Sequence, residues 1–129
     1  MKLKSGIKLL DEHEGSGEPA KNGDKVVYNL KIFLNKGQEV PLNQRQAEYL
    51  PEKMLRREGG DCLVDHGVEL GRRQAIAGVE CALLGMKKGG YRKVRLSPHL
   101  AYRDQGLDGL VPANAVLIVE LWLRQIISD

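Results

Sequence analysis

Asp61-Cys62-Leu63-Val64-Asp65-His66 brings metal-ligating and proton-moving residue types together within six residues of this sequence. A thiol, an imidazole and two carboxylates at that spacing invite a zinc reading. Zinc sites, however, take a second Cys/His pair at a defined spacing, and none follows nearby. In an extended strand Cys62 and His66 face one side, which makes them a buried thiol and a histidine at a pocket rim. Cys81 has no catalytic partner suggested by spacing and reads as a small core residue. Gly15-Ser16-Gly17 lacks the strand-to-helix context of a phosphate-binding loop and reads as a turn. Neither a metal nor another cofactor is expected. The residue that calls for an explanation is Tyr102. The chain has only one Trp, one Phe and four Tyr, yet it keeps one ring at the mouth of a long glycine-punctuated loop, ahead of its most apolar run, AVLIVELWL.

The rest of the composition sets bounds. At 129 residues, with 42% hydrophobic and 29% charged residues, the chain is read as one globular domain over residues 1–129. Its core must be aliphatic. The net charge is +3, but the basic residues fall in short dispersed clusters such as Arg56-Arg57, Arg72-Arg73 and Lys87-Lys88. That is a solvated surface rather than the one-sided patch that nucleic acid requires. Two cysteines do not make a disulfide framework. No apolar run reaches the length of a membrane span, and MKLKSGIKLLDEHEG has no secretory apolar region. These features place the expected location in the cytoplasm, with no membrane partner.

Strand periodicity is plain in KVVYNLKIFL, where Tyr28, Leu30, Ile32 and Leu34 alternate with Val27, Asn29, Lys31 and Phe33. Turns at Asn22-Gly23 and Lys36-Gly37 bound it. Asn43 is a candidate cap for a helix through Gln44–Leu50, followed at Pro51 by a break or a second helical turn, with Glu52 and Arg56 as an i,i+4 pair. DCLVDHGVELG reads as one strand bent at Gly67. AIAGVECALLGMKKGG reads as a helix, with Ile76, Val79, Leu83 and Met86 on one face. YRKVRLSP and AVLIVELWLRQI complete the sheet. The order predicts an α+β fold, mostly antiparallel, with one principal helix laid across the sheet.

The second half of the chain resembles the FKBP-type peptidyl-prolyl isomerases. The resemblance is carried by Gly-x-Glu-x-Ala-Leu-x-Gly-Met (Gly78 to Met86), Lys-x-Gly (Lys87 to Gly89), Leu-Ser-Pro, Ala101-Tyr102, the glycine loop, Val111-Pro112-x-Asn114-Ala115 and Leu117-x-Val119-Glu120-Leu121. SGIKLLDEHEGSGEPAKNGDKVVYNLKIFLNKG is similar to the family's first two strands. The resemblance implies a twisted antiparallel sheet around one helix, with an apolar pocket that receives a proline ring. It implies that the loop is the pocket's flap, that the Tyr102 hydroxyl and the Ile76 backbone N–H bond the substrate, and that proline-containing segments of peptides or proteins are the partners.

The pocket positions depart from the family pattern. Leu30 stands where the family has a tyrosine, Val40-Pro41 where it has Phe-Asp, Val79 where it has the tryptophan floor, and Val119 where it has a phenylalanine. His66 falls near a further family phenylalanine. Ala75-Ile76 replaces Val-Ile, Leu107 replaces a polar or histidine position, and Ala101, Tyr102, Leu110 and Val111 are kept. Losing one large ring removes on the order of 100 Å² of apolar contact, or about 2.5 kcal/mol. Two uncompensated losses would therefore erase ordinary substrate binding. An extra segment at about 42–66 carries Tyr49, Leu50, Met54 and Leu55. Within it Leu42–Glu58 is expected either to form a helical lid over or beside the pocket or to be a surface decoration whose apolar stripe packs on the sheet edge.

Strand parity turns Phe33, Tyr91 and Trp122 away from the pocket, where a cluster would offer a partner or self-association face. Two functions therefore stand: a peptidyl-prolyl isomerase (rotamase) of weak or altered activity, serving protein folding, or a non-catalytic FKBP-like binding or chaperone module.

Overall fold

The computed structural model describes residues 4–127. Its main sheet is antiparallel and six-stranded. Strand β1 (Ile7–His13) pairs with β7 (Tyr91–Leu96), β7 with β8 (Leu117–Ile127), and β8 with β2 (Lys25–Leu34). The far side of β2 is shared by two short strands: β3 (Glu39–Val40) covers Ile32 and Phe33, and β6 (His66–Glu69) covers Lys25 to Tyr28. Between them Asn29 to Lys31 have no strand neighbour on that side. Opposite the step from Val27 to Tyr28 the register with β8 shifts at Arg124. Such bulges sharpen the right-handed twist that curls a sheet around what it covers.

What this sheet covers is α2 (Ala77–Leu83). Tyr28, Leu30 and Ile32 of β2, Val94 and Leu96 of β7, and Leu117, Val119, Leu121 and Leu123 of β8 point to the same face and are buried. They pack with Val79, Ala82 and Leu83 of the helix in one cluster. The expected α+β arrangement, one principal helix across an antiparallel sheet, is present.

Two features seat the helix. Gly78 lies so close to the sheet that a Cβ there would come within 2.7 Å of a Leu96 methyl and 2.9 Å of the Leu100 carbonyl oxygen. At the other end, Arg92 enters the interior from β7. Its guanidinium donates to the Ala82 and Leu84 carbonyls, each at 2.9 Å, and to Glu12 of β1 at 2.7 Å. Those carbonyls belong to the group a helix C-terminus leaves without intrahelical partners. A buried cation thus closes the helix and is neutralised by the neighbouring strand.

The segment between β3 and β6 differs from expectation. The helix is one and a half turns long, α1 (Leu42–Ala47), followed by a 3-10 turn at Glu52–Met54 and a hairpin of β4 (Leu55–Glu58) and β5 (Asp61–Val64). Asn43 is not the cap. It lies inside the first turn, buried, donating to the Leu30 carbonyl at 2.8 Å and accepting from the Val64 N–H at 3.0 Å. Its amide thereby serves the backbone that the split between β3 and β6 leaves open. Asn29, on the opposite face of β2, donates to the Val64 carbonyl and Asp65.

The run 61–69 is two strands rather than one. The break falls at Asp65, not Gly67, because β5 pairs with β4 and β6 with β2. With Leu55–Glu58 extended, Arg56 turns to Asp65 at 3.1 Å, and it is Arg57 that meets Glu52, at 2.9 Å.

Candidate functional site

A cavity of about 470 Å³ opens between β2, α1 and the N-terminal end of α2. Its walls come from five places. Strand β2 gives Tyr28, Leu30 and Ile32; α1 gives Leu42 and Gln46; β6 gives His66. The loop ahead of α2 gives Arg73 through Ile76, with Val79 beneath, and the loop after β7 gives Tyr102 and Leu107. The period of two along β2 and the i,i+4 spacing of Leu42 and Gln46 put these side chains on one side of their elements.

The loops at the mouth are held by short-range bonds. Gly71 N–H donates to the Glu80 carboxylate, tying the approach to Ile76 onto the helix. The Glu69 N–H donates to Gln74 Oε1 at 2.8 Å. On the other side, Leu107 and Val111 exchange backbone bonds at 2.9 and 2.7 Å, and the Gly106 N–H reaches the Tyr102 carbonyl at 3.0 Å. Gly106 has φ +66°, and a Cβ on it would lie 2.3 Å from the Val111 carbonyl oxygen, so this tight loop needs glycine.

The ring wall of the cavity is Tyr28 against His66, with centroids 5.4 Å apart and planes tilted by 27°. Burial pushes the Tyr28 phenol up to about 12, with Tyr102 and Glu80 adding to the shift. Tyr102 is also raised by burial. Both phenols are therefore protonated donors at neutral pH. Burial lowers the His66 pKa, against the opposing pull of the Asp65 carboxylate, so the imidazole is neutral. Among the described residues, the Tyr102 hydroxyl and the Ile76 N–H have no hydrogen-bond partner.

Of the residues singled out in the sequence, Leu30, His66, Ala75, Ile76, Val79, Tyr102 and Leu107 meet around this one cavity. Val40, Ala101, Leu110, Val111 and Val119 do not line it. Val40 and Val119 pair with Ile32 from either side and are buried, Val111 is buried behind the flap, and Leu110 and Ala101 pack on the core. None of Tyr49, Leu50, Met54 and Leu55 lines it either, and Tyr49 is 72% exposed. Besides His66, the contribution of the extra segment is instead Leu42 and Gln46. Tyr28, Ile32, Leu42, Gln46, Arg73 and Gln74 were not anticipated in the lining, although the alternation through Tyr28 and Ile32 is visible in KVVYNLKIFL.

On the outer face, Tyr91 and Trp122 are neighbours at 5.4 Å, with His13 next at 5.6 Å. Phe33 stands apart from them. It pairs with Ile118, and the row Lys31–Glu120–Lys93 separates it from Trp122.

A sequence profile of the FKBP-type peptidyl-prolyl cis-trans isomerases matches residues 61–123, from β5 to β8 and through the whole cavity floor and flap. FK506-binding protein 1A of Neurospora crassa is 31% identical over 116 residues, 89% of this chain and 83% of that protein. This chain belongs to the FKBP-type isomerase family. FK506-binding protein 4 of Chaetomium thermophilum is 29% identical over 98% of this chain, which spans 22% of that protein's length. The 39 kDa FK506-binding nuclear protein of Drosophila melanogaster is 28% identical over 96% of this chain and 30% of its own length. The fold is the FKBP-like α+β fold. In this FKBP the Tyr28–His66 stack supplies aromatic wall to the cavity. Among the described residues no group of His, Cys, Asp or Glu could hold a metal, and no helix is long and apolar enough to cross a membrane.

Proposed function

We propose that this FKBP catalyses cis–trans isomerisation of X-Pro bonds in peptide and protein segments, with weak or altered activity. The observation that carries the proposal is the open cavity under Tyr102. At about 470 Å³ it falls within the ~300–1,000 Å³ of small-ligand sites, although four positions where the resemblance implies rings, Leu30, Val40, Val79 and Val119, hold aliphatic side chains.

Rotation about a peptide bond meets a barrier of ~18–20 kcal/mol because resonance makes that bond partly double. The twisted amide has lost this resonance and is less dipolar than the planar one. A dry apolar cavity therefore favours the twisted form relative to water. Ile32, Leu30, Val79 and Leu107 supply the apolar surroundings. The unengaged Ile76 N–H and Tyr102 hydroxyl, placed at the mouth, bond carbonyls on either side of the proline and hold the chain while the ring turns. No nucleophile or titrating acid takes part. The two free thiols fit action in the reducing cytoplasm.

A second reading keeps the same groove, or the Tyr91–Trp122 face, for holding a partner without turnover; the aliphatic floor at Val79 favours it. Titrating a ¹⁵N-labelled sample with a short Leu-Pro peptide separates the two faces. Shift changes centred on Ile76, Val79, Tyr102 and Leu107 support the isomerase reading. Changes confined to Tyr91 and Trp122 remove it.

A further inference from the structure

Two polar atoms in the cavity walls are buried and unpartnered among the described residues: Gln46 Oε1 on α1 and His66 Nε2 on β6. Both side chains line the cavity. Almost every buried polar group in a folded protein finds a hydrogen-bond partner, and one that does not destabilises the structure. Here two orphans come from separate elements, and the residues that carry them border the one cavity read as the substrate site.

Resting on that reading, we propose that Gln46 and His66 select substrates in which a side chain adjacent to the proline carries a neutral group that both donates and accepts hydrogen bonds, a hydroxyl or a carboxamide. A group with both capacities satisfies His66 Nε2 whichever ring nitrogen holds the proton. It satisfies the Gln46 amide whichever of its ends faces the ligand. An aliphatic side chain in the same place would leave both orphans dry. A charged one would have to be desolvated beside a neutral imidazole and an amide, neither of which offsets its charge. Gln46 has three rotatable side-chain bonds, so its amide swings toward the cavity when a partner arrives.

The neighbouring wall on α1 and in the middle of β2 is apolar. Leu42, one turn before Gln46 on α1, keeps the apolar character, as do Leu30 and Ile32 opposite.

Thr and Val have the same shape and differ by one hydroxyl, which makes them the decisive pair. Isomerisation of Thr-Pro and Val-Pro peptides, and of Pro-Thr and Pro-Val peptides, is measured by NMR exchange without protease coupling. The wild-type protein is expected to favour Thr over Val about tenfold in kcat/KM on at least one side of the proline, the effect of about one recovered hydrogen bond. The ratio is expected to fall to about one in Gln46→Leu/His66→Phe. Equal rates for Thr and Val in the wild-type protein, on both sides, overturn the inference and leave the isomerase reading standing. That comparison needs no variant, so a misfolded double variant does not obscure it. Acceleration of none of the four peptides overturns both.

Discussion

At the scale of single residues, the side chain that distinguishes this site is Tyr28. Its ring lies 4% exposed against His66 and forms part of the cavity wall. An aromatic pair contributes about 0.5–1.5 kcal/mol beyond its area. Tyr28→Leu is accordingly expected to lower stability by about 1–2 kcal/mol in urea unfolding and to reduce kcat/KM on X-Pro peptides by about tenfold. A fully active variant would mean that the ring serves only the core. His66 gives a pH dependence with a definite sign. Its folded pKa lies below the ordinary value of about 6.5, because burial opposes the charged form. The folded state thus binds fewer protons than the unfolded one, and the contribution of the neutral imidazole is present above pH ~6.5 and lost as pH falls through that value toward the lower folded pKa. The unfolding midpoint is expected to drop between pH 7.5 and 5.5, and to drop less in His66→Phe. Tyr102, Ile76 and Val79 could be located from the sequence because they sit in a long ordered motif at family spacing. Gln46 could not: its relevance comes from α1 docking in the split beside β2, a tertiary event that local pattern does not encode.

Among the elements, α2 and α1 decide where the cavity lies, and each is set by one small contact. Gly78 lets α2 approach β7. Ala is the better helix former by about 1 kcal/mol, but its methyl would meet Leu96 and the Leu100 carbonyl at under 3 Å, and overpacking costs about 1–3 kcal/mol. The steric term wins, so Gly78→Ala is expected to destabilise by about 1–2 kcal/mol in urea unfolding despite its propensity gain; an unchanged or raised midpoint would contradict that seating. Asn43 does the same for α1 by joining Leu30 to Val64. Asn43→Leu leaves a buried carbonyl and a buried N–H without partners, at about 1–3 kcal/mol each. Hydrogen exchange is expected to speed up across residues 42–65 more than in β7 and β8; uniform change would mean the segment is not a separable unit. The main strands and α2 were legible because periods of two and 3.6 are strong and turn glycines bound them. The segment 42–66 was not. Its expected helix and single long strand gave way to a short helix and a hairpin because β2 already had partners at both ends, leaving only its middle to bind.

For the whole molecule, the sheet has two faces with different chemistry. The inner one holds α2 and the cavity. The outer one carries the Tyr91–Trp122 pair, with Tyr91 bonded to Glu120, and is partly crossed by the hairpin through Lys31–Asp61 and Arg124–Glu58 ion pairs. Isomerisation in this account belongs to the inner face alone. The most direct measurement is cis–trans exchange of one short Leu-Pro peptide, followed by NMR with catalytic amounts of the wild-type protein, Tyr102→Phe and Trp122→Ala. The expected result is exchange faster than in buffer for the wild type, a loss of about three- to tenfold of that acceleration for Tyr102→Phe, the effect of one neutral hydrogen bond, and no change for Trp122→Ala. Exchange at the buffer rate with a folded wild-type protein would contradict the account, as would acceleration that survives in Tyr102→Phe and disappears in Trp122→Ala.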